Sequence, residues 1–149
     1  MKDFYNKEIK LIIMNEINKL YNQVSKKQSV IDPSEIKEHL QKRRNQLDYI
    51  IDNFDAYMYY INEHLVEKYD FYPQSKIRIP IQMVAVDITL GKRINNALLN
   101  INENSIEKVS YFTYRANRLE WMLSRVDIDR TLGEFKTYSS KENKQTIKI

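Results

Sequence analysis

The chain has 149 residues, of which 42% are hydrophobic and 30% charged, a composition typical of one globular domain. It contains no cysteine, which excludes disulfides, thiolate catalysis, cysteine-ligated zinc and iron–sulfur clusters, and its two histidines disfavour a histidine-rich metal site. Two glycines and three prolines provide few turn signals, so we predict an all-α protein with no substantial sheet.

The N-terminus and the apolar runs predict the compartment. Asp3 stands early in the chain, and no leader-like apolar segment follows it. No apolar run approaches the roughly 18 residues that cross a membrane. We therefore expect a cytoplasmic protein with no membrane partner. From the absence of cysteine and the two histidines we also expect no metal, and we expect no other cofactor.

Residues 1–70 predict a long helical hairpin, which we expect to serve as a protein-interaction arm. Apolar residues at helical spacing define a first helix over 3–26. Residues 32–35, Asp-Pro-Ser-Glu, combine an N-cap, a proline at the first helical position and an acid in the first turn, so a second helix begins there. Apolar periodicity then continues to Leu65 without glycine or proline, which predicts one helix of about 35 residues, some 50 Å long.

Residues 71–138 predict a second subdomain that is helical and basic. Prolines at positions 73 and 80 predict an extended hinge over 69–80. A third helix begins at about Ile81, and Gly91 within it allows a close helix contact or a bend.

The remaining elements follow a second helix start signal. Residues 104–107, Asn-Ser-Ile-Glu, form a capping box that opens a fourth helix. A short last helix over about 127–136 completes the fold, and residues 139–149 are expected to form a mobile polar tail. The expected architecture is a helical hairpin followed by a small helical bundle, with one compact domain as the alternative.

The positive charge lies in the second half of the chain. Residues 1–75 carry 11 Lys and Arg against 12 Asp and Glu, whereas residues 76–149 carry 13 against 8. A net charge of −1 in the first half and +5 in the second favours an anionic partner for the second half. A basic C-terminal composition without functional meaning is the alternative.

The fourth helix carries two stripes of side chains. Its core-facing stripe follows three- and four-residue spacing and consists of Val109, Phe112, Ala116, Leu119, Leu123 and Val126. A second set, offset by two positions and thus by about 200°, consists of Tyr111, Tyr114, Arg118, Trp121 and Arg125. We call this second set the Tyr/Arg/Trp face and predict that it lies away from the core.

The Tyr/Arg/Trp face predicts a binding surface. Aromatic rings stack on nucleobases and guanidinium groups contact phosphates, so nucleic acid is one expected ligand. Tyr, Trp and Arg also dominate the energetics of protein interfaces, so a protein partner is the other. The basic residues expected to extend the surface are Lys76, Arg78, Lys92, Arg93 and Arg130. The alternative is a helix buried on both sides, with its arginines paired with Glu107, Glu120 or Asp127.

Other charged clusters predict no site. Residues 42–44, Lys-Arg-Arg, lie within the predicted second helix and are expected to form a solvated face. The same is expected of three acids in that helix, Asp48, Asp52 and Asp55. His39 and His64 each follow a glutamate directly, a spacing that directs the two side chains about 100° apart and makes no metal site.

One carboxylate pattern favours an enzyme. Glu35-x-x-Glu38 and Glu67-x-x-Asp70 have the spacing with which all-α nucleotide pyrophosphohydrolases of the MazG type hold magnesium between facing helices. Those enzymes have a turn between the two pairs, whereas the predicted second helix has none and separates the pairs by about 45 Å. We therefore predict a protein without catalytic activity and keep this enzyme class as an alternative.

The C-terminal part resembles a known family. Residues 109–114 (Val-Ser-Tyr-Phe-Thr-Tyr), 119–123 and 126–135 (Val-Asp-Ile-Asp-Arg-Thr-Leu-Gly-Glu-Phe) are similar to a pattern in the C-terminal domain of the archaeal and eukaryotic primase large subunit. That domain ligates an iron–sulfur cluster through four cysteines. This chain has none, and in this respect it resembles the small noncatalytic subunit of some archaeal primases. The family's segment beyond Phe135 has no counterpart here except a short polar tail.

The resemblance implies a domain that holds the initiating nucleotide or the primer end against the template for a catalytic subunit. The residues to which it points are Tyr111, Tyr114, Arg115, Arg118 and Trp121. We thus predict a non-enzymatic accessory subunit of a nucleic-acid-processing complex, such as a DNA primase or replication complex. Its expected ligand is single-stranded DNA, primer–template DNA, RNA or a nucleotide, and its hairpin contacts protein subunits. The alternative class is a helical module for protein interaction or homo-oligomerisation.

Overall fold

The computed structural model describes residues 2–26, 32–64, 81–101 and 106–147, and within them the chain forms six helices and no strand. The helices are α1 (Lys2–Lys26), α2 (Pro33–Asp52), α3 (Phe54–His64), α4 (Ile81–Leu99), α5 (Ile106–Arg125) and α6 (Ile128–Ile147). The all-α prediction is confirmed over these ranges, and none of the six helices is long and apolar enough to cross a membrane. The predicted hinge at 69–80 lies outside the described residues.

Two helix pairs form the frame of the molecule. α1 packs against α2, as predicted for the hairpin, and Lys10 Nζ lies 2.9 Å from Asp52 Oδ1. α4 packs against α5, where a Cβ added to Gly91 would lie 3.0 Å from Glu120 Cα. A side chain at position 91 would force this backbone away, so the close helix contact predicted at Gly91 is confirmed. α1 also packs on α4 and thereby joins the two pairs.

One hydrophobic core extends through all six helices. Its members include Ile13 of α1, Leu47 of α2, Ile61 of α3, Leu90 of α4, Leu119 of α5 and Phe135 of α6. Removing such side chains from water contributes about 25 cal/mol per Å² of apolar surface. Both predicted subdomains, 1–70 and 71–138, therefore contribute side chains to the same core.

The predicted single second helix is wrong, because the chain breaks at Asn53. This residue has φ −119° and ψ 30°, and its backbone N–H donates to Tyr49 O and Ile50 O at 3.1 and 3.2 Å. Its side-chain amide also donates to Tyr49 O, at 3.0 Å. Asparagine competes in this way for helix carbonyl groups, so it ends α2 without a glycine or a proline.

The last helix is longer than predicted. Asp127 begins it by accepting a hydrogen bond from the backbone N–H of Arg130 at 3.2 Å, as an N-cap does. α6 then continues to Ile147, so the predicted end at 136 is wrong and residues 139–147 are helical, while the mobility expected of this tail stays a prediction. The apolar pattern ends at Phe135, but the Lys, Glu and Gln residues that follow have good helix propensity and meet no helix breaker.

Candidate nucleic-acid interface

α5 packs against α4 and contacts α3 through individual side chains. On one side, Arg118 Nη2 donates to Asn62 Oδ1 of α3 at 2.7 Å. On another side, Glu120 packs against Gly91 of α4. Side chains 118 and 120 leave the helix about 200° apart. The two neighbouring helices therefore flank α5 and leave the face between them open.

The predicted core-facing stripe of α5 is largely confirmed. Its buried members are Phe112, Ala116, Leu119, Leu123 and Val126. Val109 is the exception, because it is exposed, and Ile106 one turn before it is 85% exposed. Leu99 at the end of α4 is exposed as well. The first turn of α5 thus extends beyond the core, and residues 104 and 105 of the predicted capping box lie outside the described residues.

The Tyr/Arg/Trp face reaches solvent only in part. Tyr114 is 49% exposed, and Arg125 is exposed. The half-buried members are Tyr111, Arg118 and Trp121. The ring centroid of Tyr111 lies 4.7 Å from that of Tyr5 in α1, and its hydroxyl accepts a hydrogen bond from Arg115. Tyr111 is therefore engaged within the fold, and the accessible part of the face begins at Tyr114.

Arg115 is buried, which contradicts the prediction that it contacts a ligand at the surface. Only 2% of the residue is exposed, and its guanidinium donates to Ile51 O and to the Tyr111 hydroxyl, each at 2.8 Å. It also donates to Asn6 of α1. Carbonyl groups at a helix C-terminus lack partners within the helix, and α2 ends beside Ile51. Arg115 supplies such a partner at the negative end of the helix dipole.

The charge of Arg115 is supported by its surroundings. Its guanidinium carbon lies 4.4 Å from the ring centroid of Phe54. Burial lowers the pKa of Arg115 from its ordinary value, and Tyr111 and the carboxylates of Asp55 and Asp52 act against that shift. Arginine keeps its proton under physiological conditions. A buried cation is thus held where α1, α2, α3 and α5 meet.

Arg118 and Arg125 differ from Arg115 in burial, because Arg118 is half-exposed and Arg125 is exposed. The Arg118 guanidinium lies 5.0 Å from the ring centroid of Trp121, one turn further along α5. In the described part of the chain, neither Arg118 nor Arg125 forms an ion pair with a carboxylate. Asp127, one of the acids considered as a partner, caps α6 instead. The alternative of arginines paired with acids is not realised there.

None of the other predicted basic residues that the structure describes belongs to α5. Lys92 and Arg93 belong to α4, which flanks α5 on the side away from α3. Lys92 is exposed, and Arg93 donates to Gln23 of α1. Lys76 and Arg78 lie outside the described residues, so their contribution stays a prediction.

The cluster at 42–44 is solvated only in part, because Lys42 is exposed whereas Arg43 is only 1% exposed. Arg43 Nε lies 3.0 Å from both carboxylate oxygens of Asp87 in α4, and Nη2 lies 3.0 Å from Oδ2. His39 Nε2 lies 2.8 Å from Asp87 Oδ1 and joins α2 to α4 a second time. On the other side, Arg43 Nη1 lies 3.2 Å from Asp129 Oδ1 of α6. This buried network was missed from the sequence.

Asp129 completes the buried network from α6. Gln46 Nε2 donates to its Oδ1 at 2.6 Å, and Lys42 Nζ donates to its Oδ2 at 3.1 Å. Burial acts to raise the pKa of Asp129, but the hydrogen bond from Gln46 and the charges of Arg43 and Lys42 outweigh it and hold the pKa below its ordinary value. The network therefore ties α2, α4 and α6 together through satisfied charges.

The sequence does contain a signal for this network. Arg43 occupies a position within the apolar stripe of α2, between Leu40 and Leu47. Asp87 occupies the equivalent kind of position in α4, between Met83 and Leu90. One basic and one acidic residue, each alone within an apolar stripe, indicate a buried pair rather than two solvated charges.

Among the described residues, no group of three or more acids or histidines is arranged to hold a metal ion. The predicted separation of about 45 Å between the two carboxylate pairs assumed one straight helix. The break at Asn53 removes that assumption. Glu67 and Asp70 lie outside the described residues. The pyrophosphohydrolase alternative therefore stays a prediction.

Comparison with protein families, curated proteins and solved structures found no match to this chain. The resemblance to the primase large subunit stays a prediction from sequence for the same reason. The residues that carry a functional interpretation are the accessible ones on α5, which we call the α5 surface: Tyr114, Arg118, Trp121 and Arg125.

Proposed function

We propose that the protein is a non-enzymatic nucleic-acid-binding subunit that contacts its ligand through the α5 surface. One observation carries the proposal. Arg118 and Arg125 have no carboxylate partner within the described ranges, whereas Arg43 and Arg130 both have one. Two uncompensated arginines beside exposed or half-exposed aromatic rings favour an anionic ligand with planar groups.

Arg118 is already oriented for such a ligand. Its Nη2 is bonded to Asn62, and its guanidinium rests against the ring of Trp121. These contacts restrict the Arg118 side chain before binding, so less of its conformational entropy is lost when a phosphate binds. Arg125 lies two turns further, about 10 Å along the helix axis. The two arginines can therefore serve two phosphate groups of one ligand.

A protein-interaction module is the second candidate, and an apolar surface favours it. Leu99, Ile106 and Val109 are exposed where α4 ends and α5 begins. A cluster of exposed apolar side chains would be typical of a protein contact site. An accessory subunit would use both regions, with nucleic acid on the α5 surface and protein subunits at this apolar end. A primase or replication complex is proposed on the sequence resemblance alone.

The test is fluorescence anisotropy of a labelled single-stranded oligonucleotide, titrated with the full chain at several salt concentrations. Two phosphate contacts predict that log Kobs falls with log salt at a slope of about −1.4, from about −0.7 per contact on a single strand. Arg118→Ala/Arg125→Ala should weaken binding about tenfold and flatten the slope. Lys19→Ala/Lys37→Ala removes the same charge from exposed positions of α1 and α2 and should change affinity less than about twofold.

An unlabelled readout is available as well. Trp121 is the single tryptophan of the chain, so a ligand on the α5 surface should change its emission. Circular dichroism establishes that each variant is folded. Equal loss in both double variants, or binding that is independent of salt, would overturn the proposal. A protein partner lost on Ile106→Asp, with no affinity for nucleic acid, would support the second candidate.

A further inference from the structure

We infer that the nucleic acid bound here is single-stranded and that α3 contributes to its site through Tyr59. The inference rests on the proposed function and names the form of its ligand. Tyr59 is 63% exposed, more than any other aromatic residue described, and it has no role in the buried network. A large ring that is open to solvent, one helical turn from the Asn62 that contacts Arg118, is suited to stacking.

Tyr59 belongs to the side of α3 that meets α5. Asp55, Tyr59 and Asn62 follow four- and three-residue spacing and therefore share one face of the helix. Of the two outer members, Asn62 contacts α5 by accepting a hydrogen bond from Arg118. Tyr59 lies between these two positions along α3.

A second ring lies at the same boundary. The ring centroid of Tyr114 is 5.7 Å from that of Phe54, the first residue of α3, in an edge-to-face arrangement. Tyr114 is half-exposed, so part of its ring is available to a ligand. Trp121 is less available, because the Arg118 guanidinium already lies against its ring. The two tyrosines are therefore the stacking positions, and Trp121 is the residue that positions Arg118.

The charges on the two helices give a strand its orientation. α3 contains the acids Asp55 and Glu63 and no lysine or arginine. The α5 surface contributes Arg118 and Arg125, which have no carboxylate partner in the ranges described. Phosphates are attracted to α5 and repelled from α3. A strand therefore places its backbone along α5 and its bases toward Tyr59.

A duplex does not fit this arrangement. Stacking on a side chain needs an unpaired base, because base faces inside a duplex are covered by neighbouring pairs. A helix that reads the major groove must enter a space about 12 Å wide. α5 is flanked by α3 and α4, so it does not project alone.

The test compares a labelled oligothymidylate with a labelled duplex of the same length, each titrated with the full chain at one low salt concentration. We expect the single strand to bind about tenfold more tightly or better. Tyr59→Ala should weaken single-strand binding about tenfold, and Tyr59→Phe should change it less than about twofold, because the ring and not the hydroxyl stacks. Tyr138→Ala removes an exposed ring of α6 that packs on Tyr60 and His64, so it controls for ring loss away from α5 and should change binding less than about twofold.

The outcomes separate this inference from the proposed function. If Tyr59→Ala binds like the wild type, or the duplex binds as tightly as the single strand, while Arg118→Ala/Arg125→Ala is weakened, only the single-strand inference is overturned. If the wild type binds neither probe, the proposed function fails and the inference fails with it. Tyr59→Leu keeps apolar bulk without an aromatic ring, so it decides the question should Tyr59→Ala lose its helical circular dichroism.

Discussion

Arg43 and Arg118 are the same side chain in two opposite settings. Arg43 of α2 is enclosed, and the carboxylates of Asp87 and Asp129 lie within 3.2 Å of its guanidinium. Arg118 of α5 is half-exposed and contacts an amide and an aromatic ring, but it contacts no carboxylate in the described part of the chain. The first charge is compensated by neighbouring helices and stabilises their packing. Under the proposed function, the second is the charge that a ligand would contact.

Arg115 lies between these extremes and sharpens the distinction. It is as buried as Arg43, but its direct partners are a carbonyl group, a hydroxyl, an amide and an aromatic ring rather than a carboxylate. Two equally buried arginines can therefore have different kinds of partner, so burial alone does not show whether a carboxylate compensates the charge. What Arg43 and Arg115 share is that the fold supplies each with polar partners from several helices.

The largest expected effect comes from breaking the enclosed pair. Asp87→Ala leaves Arg43 buried beside an empty position, so we expect a loss of about 3–5 kcal/mol in the free energy of unfolding. Urea denaturation measures it as a lower midpoint at constant slope. Arg43→Met/Asp87→Leu removes both charges and should recover most of the loss. A cost below about 1 kcal/mol for Asp87→Ala would mean that Asp129 alone compensates Arg43.

The next effect compares two arginines on one helix. Arg115→Met leaves the Ile51 carbonyl and the Tyr111 hydroxyl without their buried donor, so we expect a loss of about 2–3 kcal/mol. Arg118→Met should cost less than about 0.5 kcal/mol, because its partner Asn62 is open to water. Thermal unfolding of both variants under the same conditions measures the difference. Equal costs would show that Arg118 is as structural as Arg115.

Acid should test the charges around Asp129. The pKa of Asp129 is below its ordinary 3.8 in the folded protein, so its stabilising contribution is complete above about pH 4 and is lost as the pH falls through the folded-state pKa. Asp129→Asn removes this dependence. Urea midpoints of wild type and variant should therefore differ at neutral pH and converge in strong acid. A constant difference across this range would contradict the assignment.

The smallest effect concerns Tyr57, whose hydroxyl lies 2.8 Å from Thr131 Oγ1 in α6. Burial raises the pKa of Tyr57 well above its ordinary 10.0, so the unfolded chain loses this proton at lower pH than the folded one. Stability should thus fall as the pH rises above about 10. Tyr57→Phe should cost about 1 kcal/mol near neutral pH and show a smaller alkaline decline. Parallel alkaline titrations of both proteins, followed by circular dichroism, measure it.

Helix formation and the apolar faces could be predicted from the sequence, because they depend on local spacing. The cap at Asp32, the stripe of α5 and the close contact at Gly91 are of this kind. The break at Asn53 was missed because asparagine is a weak helix terminator that acts only when its amide finds a carbonyl. The end of α6 was missed because its last turns are polar, and periodicity gives no signal there.

The candidate site was predictable only in part. Tyr114 and Arg125 are exposed as expected, because they lie opposite the apolar stripe of α5. Arg115 lies at the edge of that stripe, and its burial depends on where α2 ends in space. Tyr59 and Tyr60 are adjacent in sequence, yet only Tyr59 is exposed. Which of the two faces solvent depends on the direction that α3 takes after Asn53, and spacing within the segment does not give it.

The junction at Asn53 limits how the chain can change in length. α2 and α3 are separated by this one residue, and the backbone N–H of Tyr57 bonds to its carbonyl at 2.8 Å. One residue added or removed here would rotate α3 by about 100° relative to α2. Tyr59 and Asn62 would then leave the side that meets α5, and a polar face would turn toward the core. We therefore expect substitutions at this junction to be tolerated far better than insertions or deletions.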